Sequence, residues 1–210
     1  MIIINFKNYK TGKDILRLAK ICKVVSKKNK MMIALSAVDI YPVSRFYKQV
    51  LAQHVDFEEK GAFTGTVLPE AVKENGAIGT LLNHAEKKLS FNVLKKTILR
   101  CKEVKLKTIV CAASIKQAKK ISKLKPDYIA FEDPKLIGTG KSISKVKANK
   151  VKRFAKIINK TGVIPLCGAG VSTRADMKAA LELGTKGILI SSAIVKSKNP
   201  RRSLLNLTKS

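Results

Sequence analysis

Eight short apolar runs, each separated from the next by a lysine-rich amphipathic stretch, constrain this chain more than any other feature. They begin near Ile2-Ile3-Ile4, Met31 to Leu35, Gln53-His54-Val55-Asp56, Ala77 to Leu82, Thr108 to Cys111, Tyr128 to Phe131, Val163 to Leu166 and Gly187 to Ile190. Strand-length runs alternating with helical stretches are the pattern of a parallel sheet covered by helices. Between the runs, Asp14 to Cys22 and Ala148 to Ile158 carry apolar residues at helical spacing. Ser172 or Thr173 is placed to cap a helix carrying Met177, Ala180 and Leu181, and Gly184 is placed to end it. Eight strand and helix pairs predict an α/β fold, a closed eight-stranded parallel (β/α)8 barrel. The third run is polar and leaves a seven-strand arrangement open. At 210 residues the barrel is short for its class, so trimmed helices are expected.

A chain of this length with 45% hydrophobic residues can bury one core, and no linker interrupts it, so residues 1–210 are expected to form a single domain. No apolar run approaches the roughly 18 residues of a membrane span, and Met1 to Lys7 lacks the layout of a secretion signal. Neither membrane association nor export is expected, and the protein is assigned to the cytoplasm. Cys22, Cys101, Cys111 and Cys167 stand singly, without metal or redox spacing, and are expected to be reduced structural thiols. Cys167, beside a glycine turn, is expected to pack beneath it.

The formal charge of +29 raises the question of nucleic acid. The lysines, however, are spread over nearly every segment, aromatics make up only 5%, and there is no tryptophan to stack on bases. Solvated helix faces explain such a distribution, leaving nucleic acid as a non-specific partner of the basic surface only. The same positive field would speed capture of a small anion, and that rate would fall with salt.

Chemistry concentrates at Phe131 to Gly140. The run Tyr128-Ile129-Ala130-Phe131 delivers Glu132 to a strand's carboxyl end, where parallel barrels keep their active sites. Ile137-Gly138-Thr139-Gly140 follows at once, as a lid over a base would. His84 and Glu86 on their own also suggest a zinc deaminase, but the paired cysteines that reaction requires are missing.

Several motifs, in order, resemble the triosephosphate isomerase family, and most closely its shorter archaeal branch. They are Asn5-Phe6-Lys7, Gly61 to Gly65, Leu68 to Glu74, Leu82-Asn83-His84-Ala85-Glu86, Glu132 with Ile137 to Gly140, and Cys167-Gly168-Ala169-Gly170, in a match running from Ile3 to about Pro200. The resemblance implies interconversion of glyceraldehyde 3-phosphate and dihydroxyacetone phosphate through an enediol intermediate, without cofactor or metal. It makes Glu132 the base and then the acid, since one swinging carboxylate can serve two neighbouring carbons. His84 becomes the uncharged hydrogen-bond donor to the substrate oxygens, an assignment taken from triosephosphate isomerase itself. Lys7 supplies a fixed cation with Asn5 beside it, and Glu86 supports Lys7. Gly168, Gly170, Ser191 and Ser192 would hold the phosphate under a lid at Ile137 and Gly138, which keeps water from the reactive intermediate.

By the same resemblance the protein is a homo-oligomer, a dimer or tetramer, assembled through the segment Gln53 to Gly65. Three positions depart from the family: Ala85 in place of serine, Asp133 in place of proline with Pro134 behind it, and Ser191-Ser192 in place of a glycine pair. Asp133 would raise the pKa of Glu132 by like-charge proximity. Two alternatives share the barrel: a synthase of indole or thiamine precursors using the same phosphate cradle, and a nucleic-acid-binding protein. The first needs room for an aromatic ring that this short chain does not promise.

Overall fold

The computed structural model describes residues 1–27, 29–132, 147–168 and 170–208. Its strands are β1 (Ile2–Asn5), β2 (Met31–Leu35), β3 (Val50–Ala52), β4 (Gly79–Leu82), β5 (Lys107–Ala112), β6 (Tyr128–Phe131), β7 (Ile164–Cys167) and β8 (Ile188–Ile190). The described helices are α1 (Gly12–Ser26), α2 (Ala37–Ser44), α3 (Pro69–Glu74), α4 (Phe91–Glu103), α5 (Ile115–Ser122), α6 (Ala148–Asn159), α7 (Arg174–Glu182), α8 (Ser192–Val195) and α9 (Pro200–Thr208). Each strand pairs in parallel with the next, and β8 returns to β1 with Ile188 opposite Ile2, closing the barrel.

Alternation along each strand divides the core into two layers. Ile3, Met32, Leu51, Leu81, Ile109 and Leu166 point inward and fill the barrel. Their neighbours Ile2, Ile4, Ile33, Val110 and Ile129 point outward against the helices. On α1 the buried face is Ile15, Leu18, Ala19, Cys22 and Val25, spaced by three and four as a helix resting on a sheet requires. Thr173 caps α7 in a reciprocal box with Asp176, and Gly184 follows at φ 95°, a turn that glycine makes without steric cost.

The structure moves one expected element. The third strand is Val50–Ala52, not Gln53 to Asp56, because the fully buried triplet Val50-Leu51-Ala52 supplies the apolar face and leaves Gln53 beyond the strand's carboxyl end. The seven-strand alternative is thereby excluded. On α7, Leu181 is 42% exposed and Ala180 takes the buried position. All four cysteines are buried, and burial pushes Cys22 and Cys101 up to about 12, so these thiols stay protonated. No helix among the described residues is long and apolar enough to cross a membrane.

Candidate active site

The site is assembled at the carboxyl ends of the strands. Asn5 ends β1, and Lys7 follows two residues later in the left-handed region at φ 48°. An L-residue occupies that region only when held there. Asn5 Oδ1 accepts from the Lys7 N–H at 2.9 Å, and the Gln53 amide donates to the Lys7 carbonyl at 3.0 Å. This corner directs the Lys7 ammonium inward to Glu86 Oε1 at 2.5 Å, with its side chain only 12% exposed. Gln53 thus belongs to the supporting structure of the site.

His84 follows β4 in a hydrogen-bonded turn, with the Lys87 N–H donating to the His84 carbonyl at 2.8 Å. A turn, in place of a helix amino terminus, follows the ring. The neutral form is favoured instead by burial, the largest influence lowering the ring's pKa; Lys7 adds to it and Glu86 works against it. The Glu86 N–H donates to His84 Nδ1 at 3.2 Å, so the proton of the neutral ring is assigned to Nε2. That nitrogen faces Glu132 Oε1 at 3.7 Å.

Glu132 leaves β6 with its N–H donating to the Ala112 carbonyl at 2.9 Å and its side chain 5% exposed. Its Oε2 is buried without a hydrogen-bond partner. Burial is the largest cause raising its pKa from 4.5 to about 7; the Cys111 thiol and Lys7 oppose the rise, and Glu86 adds to it. A carboxyl group poised near neutrality is what reversible proton transfer requires. The pKa rise foreseen from Asp133 has a different first cause, burial, and Asp133 itself lies outside the described residues.

Asn5, Lys7, His84, Glu132, Gly168, Gly170, Ser191 and Ser192 line one cavity, joined by Tyr9 and Ser172. Glu86 adjoins it through Lys7. Ile137 and Gly138 lie outside the described residues. Gly170 adopts φ 67°, and the buried Ser191 hydroxyl lacks a partner. Gly168 differs from expectation, because its N–H donates to the Phe131 carbonyl at 2.9 Å. Its contribution is space: a Cβ there would lie 2.6 Å from Glu132 Cγ.

One residue the sequence did not single out is Asn83. It turns through φ 57°, donates from Nδ2 to the Cys111 carbonyl at 2.8 Å and accepts the Leu89 N–H at 3.0 Å. It thereby ties both ends of the His84 turn to the barrel. Asparagine's tolerance of left-handed turns was the available signal. Asn83→Ala is expected to lower stability by about 2–3 kcal/mol in urea denaturation and to weaken kcat/KM about tenfold. Asn83→Gly keeps the turn and loses only the hydrogen bonds, so it should fall between the two.

A deep barrel-end cavity joining a carboxyl group, an imidazole, a lysine and glycine turns defines a (β/α)8-barrel enzyme built for proton transfer on a small anionic substrate. The sequence model of triosephosphate isomerase matches residues 1–209. Curated relatives with that name include the protein of Methanocaldococcus jannaschii, 42% identical over 217 residues and covering 100% of this chain and 99% of the relative. The Methanosarcina barkeri protein is 40% identical over 98% of this chain and 96% of its own length. That of Methanobacterium bryantii is 38% identical over 99% and 95%. The chain belongs to the triosephosphate isomerase family.

Proposed function

We propose that this chain is a single-domain triosephosphate isomerase in which Glu132 shuttles the proton, His84 Nε2 donates to the substrate oxygens and Lys7 holds the anionic substrate. The observation that carries the residue assignment is the approach of His84 Nε2 to Glu132 Oε1 across the Lys7-lined cavity, 3.7 Å apart. Removing a proton next to a carbonyl leaves negative charge on oxygen. A neutral Nε2–H already in place can stabilise it without reorganisation. Glu132, protonated by that step, then returns the proton to the adjacent carbon while the hydroxyl proton passes between the two substrate oxygens, and the two transfers together convert aldose to ketose or the reverse. The Lys7 ammonium, oriented by Glu86, counters the phosphate charge, and the Ser191 hydroxyl and the Gly170 turn flank the same space. Covering of the site by Ile137 and Gly138 rests on the family resemblance alone.

This reading places the enzyme in glycolysis and gluconeogenesis in the cytoplasm, since a charged triose phosphate does not cross membranes unaided. A coupled assay of glyceraldehyde 3-phosphate conversion should give kcat/KM that rises as Glu132 ionises, with its midpoint near pH 7. A background rate from folded protein would overturn the proposal.

We also assign a homo-oligomer. Phe63, 48% exposed, sits in the long connection after β3, and an open groove beside the site is lined by Asn8, Tyr9, Gln53, His54 and Lys87. Covering the Phe63 ring with a second copy would remove this apolar surface from water. Light scattering is expected to give a dimer or tetramer mass that Phe63→Ser reduces; a monomer mass for the parent would refute it.

A further inference from the structure

A parallel barrel sends its strand-to-helix connections to one end and its helix-to-strand connections to the other. Lysines that look scattered along the chain are therefore sorted by the fold. At the catalytic end, among the described residues, Lys7, Lys10, Lys60, Lys87, Lys88, Lys147, Lys196 and Lys198 are interspersed with Asp56, Glu58, Glu59, Glu86 and Glu132, so both signs are present. The opposite end differs. Lys27 and Lys30 precede β2, Arg45 and Lys48 precede β3, and Lys105 precedes β5. Lys123 and Lys125 precede β6, Lys160 precedes β7, and Lys186 precedes β8. All of these side chains are exposed. The described acid among these connections is Asp127, and its carboxylate is engaged by the Thr108 N–H at 2.8 Å and hydroxyl at 3.2 Å.

Helix carboxyl ends attract cations, which accounts for some of this bias. Each such end carries only about half a negative charge, however, so the helices leading into β2 to β8 offset less than half of these cations. Two of the lysines also occupy costly backbone positions. Lys105 at φ 59° and Lys125 at φ 51° stand just past α4 and α5, where left-handed caps are usually glycine. Both flank an open groove of about 550 Å³, together with Lys102 and Lys107.

None of the exposed large apolar side chains lies in a helix-to-strand connection. Tyr41, 54% exposed in the last turn of α2, is already faced by the Arg45 guanidinium at 5.9 Å, so the face offers no row of rings for stacking unpaired bases and no apolar wedge for a lipid surface. Its chemistry is that of lysines contacting phosphates on a regular double helix. We propose that the amino-terminal end of the barrel binds the backbone of double-stranded nucleic acid without sequence preference, while the catalytic end stays open.

The test is fluorescence anisotropy of the full chain with a mixed-sequence duplex of about 20 base pairs, titrated across a potassium chloride series. Lys105→Gly with Lys125→Gly removes two cations while relieving the left-handed strain, so the fold is retained. Duplex affinity is expected to fall about fivefold or more at fixed salt, and the slope of log K against log salt to shrink by about 2. Isomerase kcat/KM should not change. The control, Lys95→Ala with Lys152→Ala, removes two exposed cations from the outer faces of α4 and α6 and should alter affinity less than twofold, roughly the scale of a screened distant charge. Equal losses in both variants would mean a diffuse charge and overturn the proposal. So would absence of duplex binding, or tighter binding to a single strand or to phosphatidylserine vesicles.

Discussion

Glu132→Gln is expected to lower kcat by about a thousandfold or more while making the folded protein more stable above neutral pH. The activity loss follows from removing the group proposed to carry the proton, and losses of this size are typical of a positioned acid or base. The stability gain follows from burial. Glu132 is 4% exposed with Oε2 unpaired, and its pKa in the fold is raised from 4.5 to about 7. The sign runs against the usual carboxylate. Below about pH 4.5 the group is protonated whether folded or unfolded, so it does not change stability. Between 4.5 and 7 the unfolded chain ionises first, and the fold loses stability as pH rises. Above 7 the whole penalty is present, about 3 kcal/mol from that difference in pKa. A neutral glutamine avoids it. Urea denaturation should therefore show parent and variant alike at pH 4.5 and separated by roughly 3 kcal/mol at pH 8. A gap that does not depend on pH would rule out the buried ionised carboxylate as its source.

Gly168→Ala is expected to cut kcat about a hundredfold with KM little changed, because one methyl group displaces the base. Its Cβ would sit 2.6 Å from Glu132 Cγ, 3.2 Å from the Phe131 carbonyl oxygen and 3.3 Å from Glu132 Oε1. Cγ lies near the root of the side chain, so a rotation at the tip does not relieve the clash. The carboxylate must leave its place opposite His84, and misplacement on the order of an ångström costs about that factor. Overpacking should also lower stability by about 1–3 kcal/mol. Gly187→Ala separates the two effects. Its Cβ would meet the Met1 carbonyl at 2.4 Å, far from the carboxyl ends of the strands, so it should lose stability but keep its rate per folded molecule. If Gly168→Ala and Gly187→Ala lose activity only in proportion to their unfolded fraction, the spatial role given to Gly168 is wrong.

The barrel was legible because its strands announce themselves locally. Seven of the eight expected runs overlap the observed strands, and Thr173 caps the helix it was expected to cap. The third strand was placed late because a three-residue apolar triplet is too short to stand out beside the polar Gln53 and His54. Glu132, His84, Lys7 and Asn5 were readable from strand-end positions and from motif resemblance, and all four line one cavity. The roles of Asn83 and Gln53 were not, since each depends on a partner that the chain supplies far away: Cys111 for one and Lys7 for the other.

Composition, apolar spacing and capping residues settled which segments become strands and helices, because those preferences act over a few neighbouring residues. Closure of the barrel settled the rest. It brought Lys7 to Glu86, set Gly168 beneath Glu132, and buried that carboxyl group deeply enough to raise its pKa. Among the described residues it also separated a catalytic end of mixed charge from a strongly cationic one. Contacts and fields between residues tens of positions apart exist only once the ends of the sheet have met, so no stretch of sequence read by itself contains them.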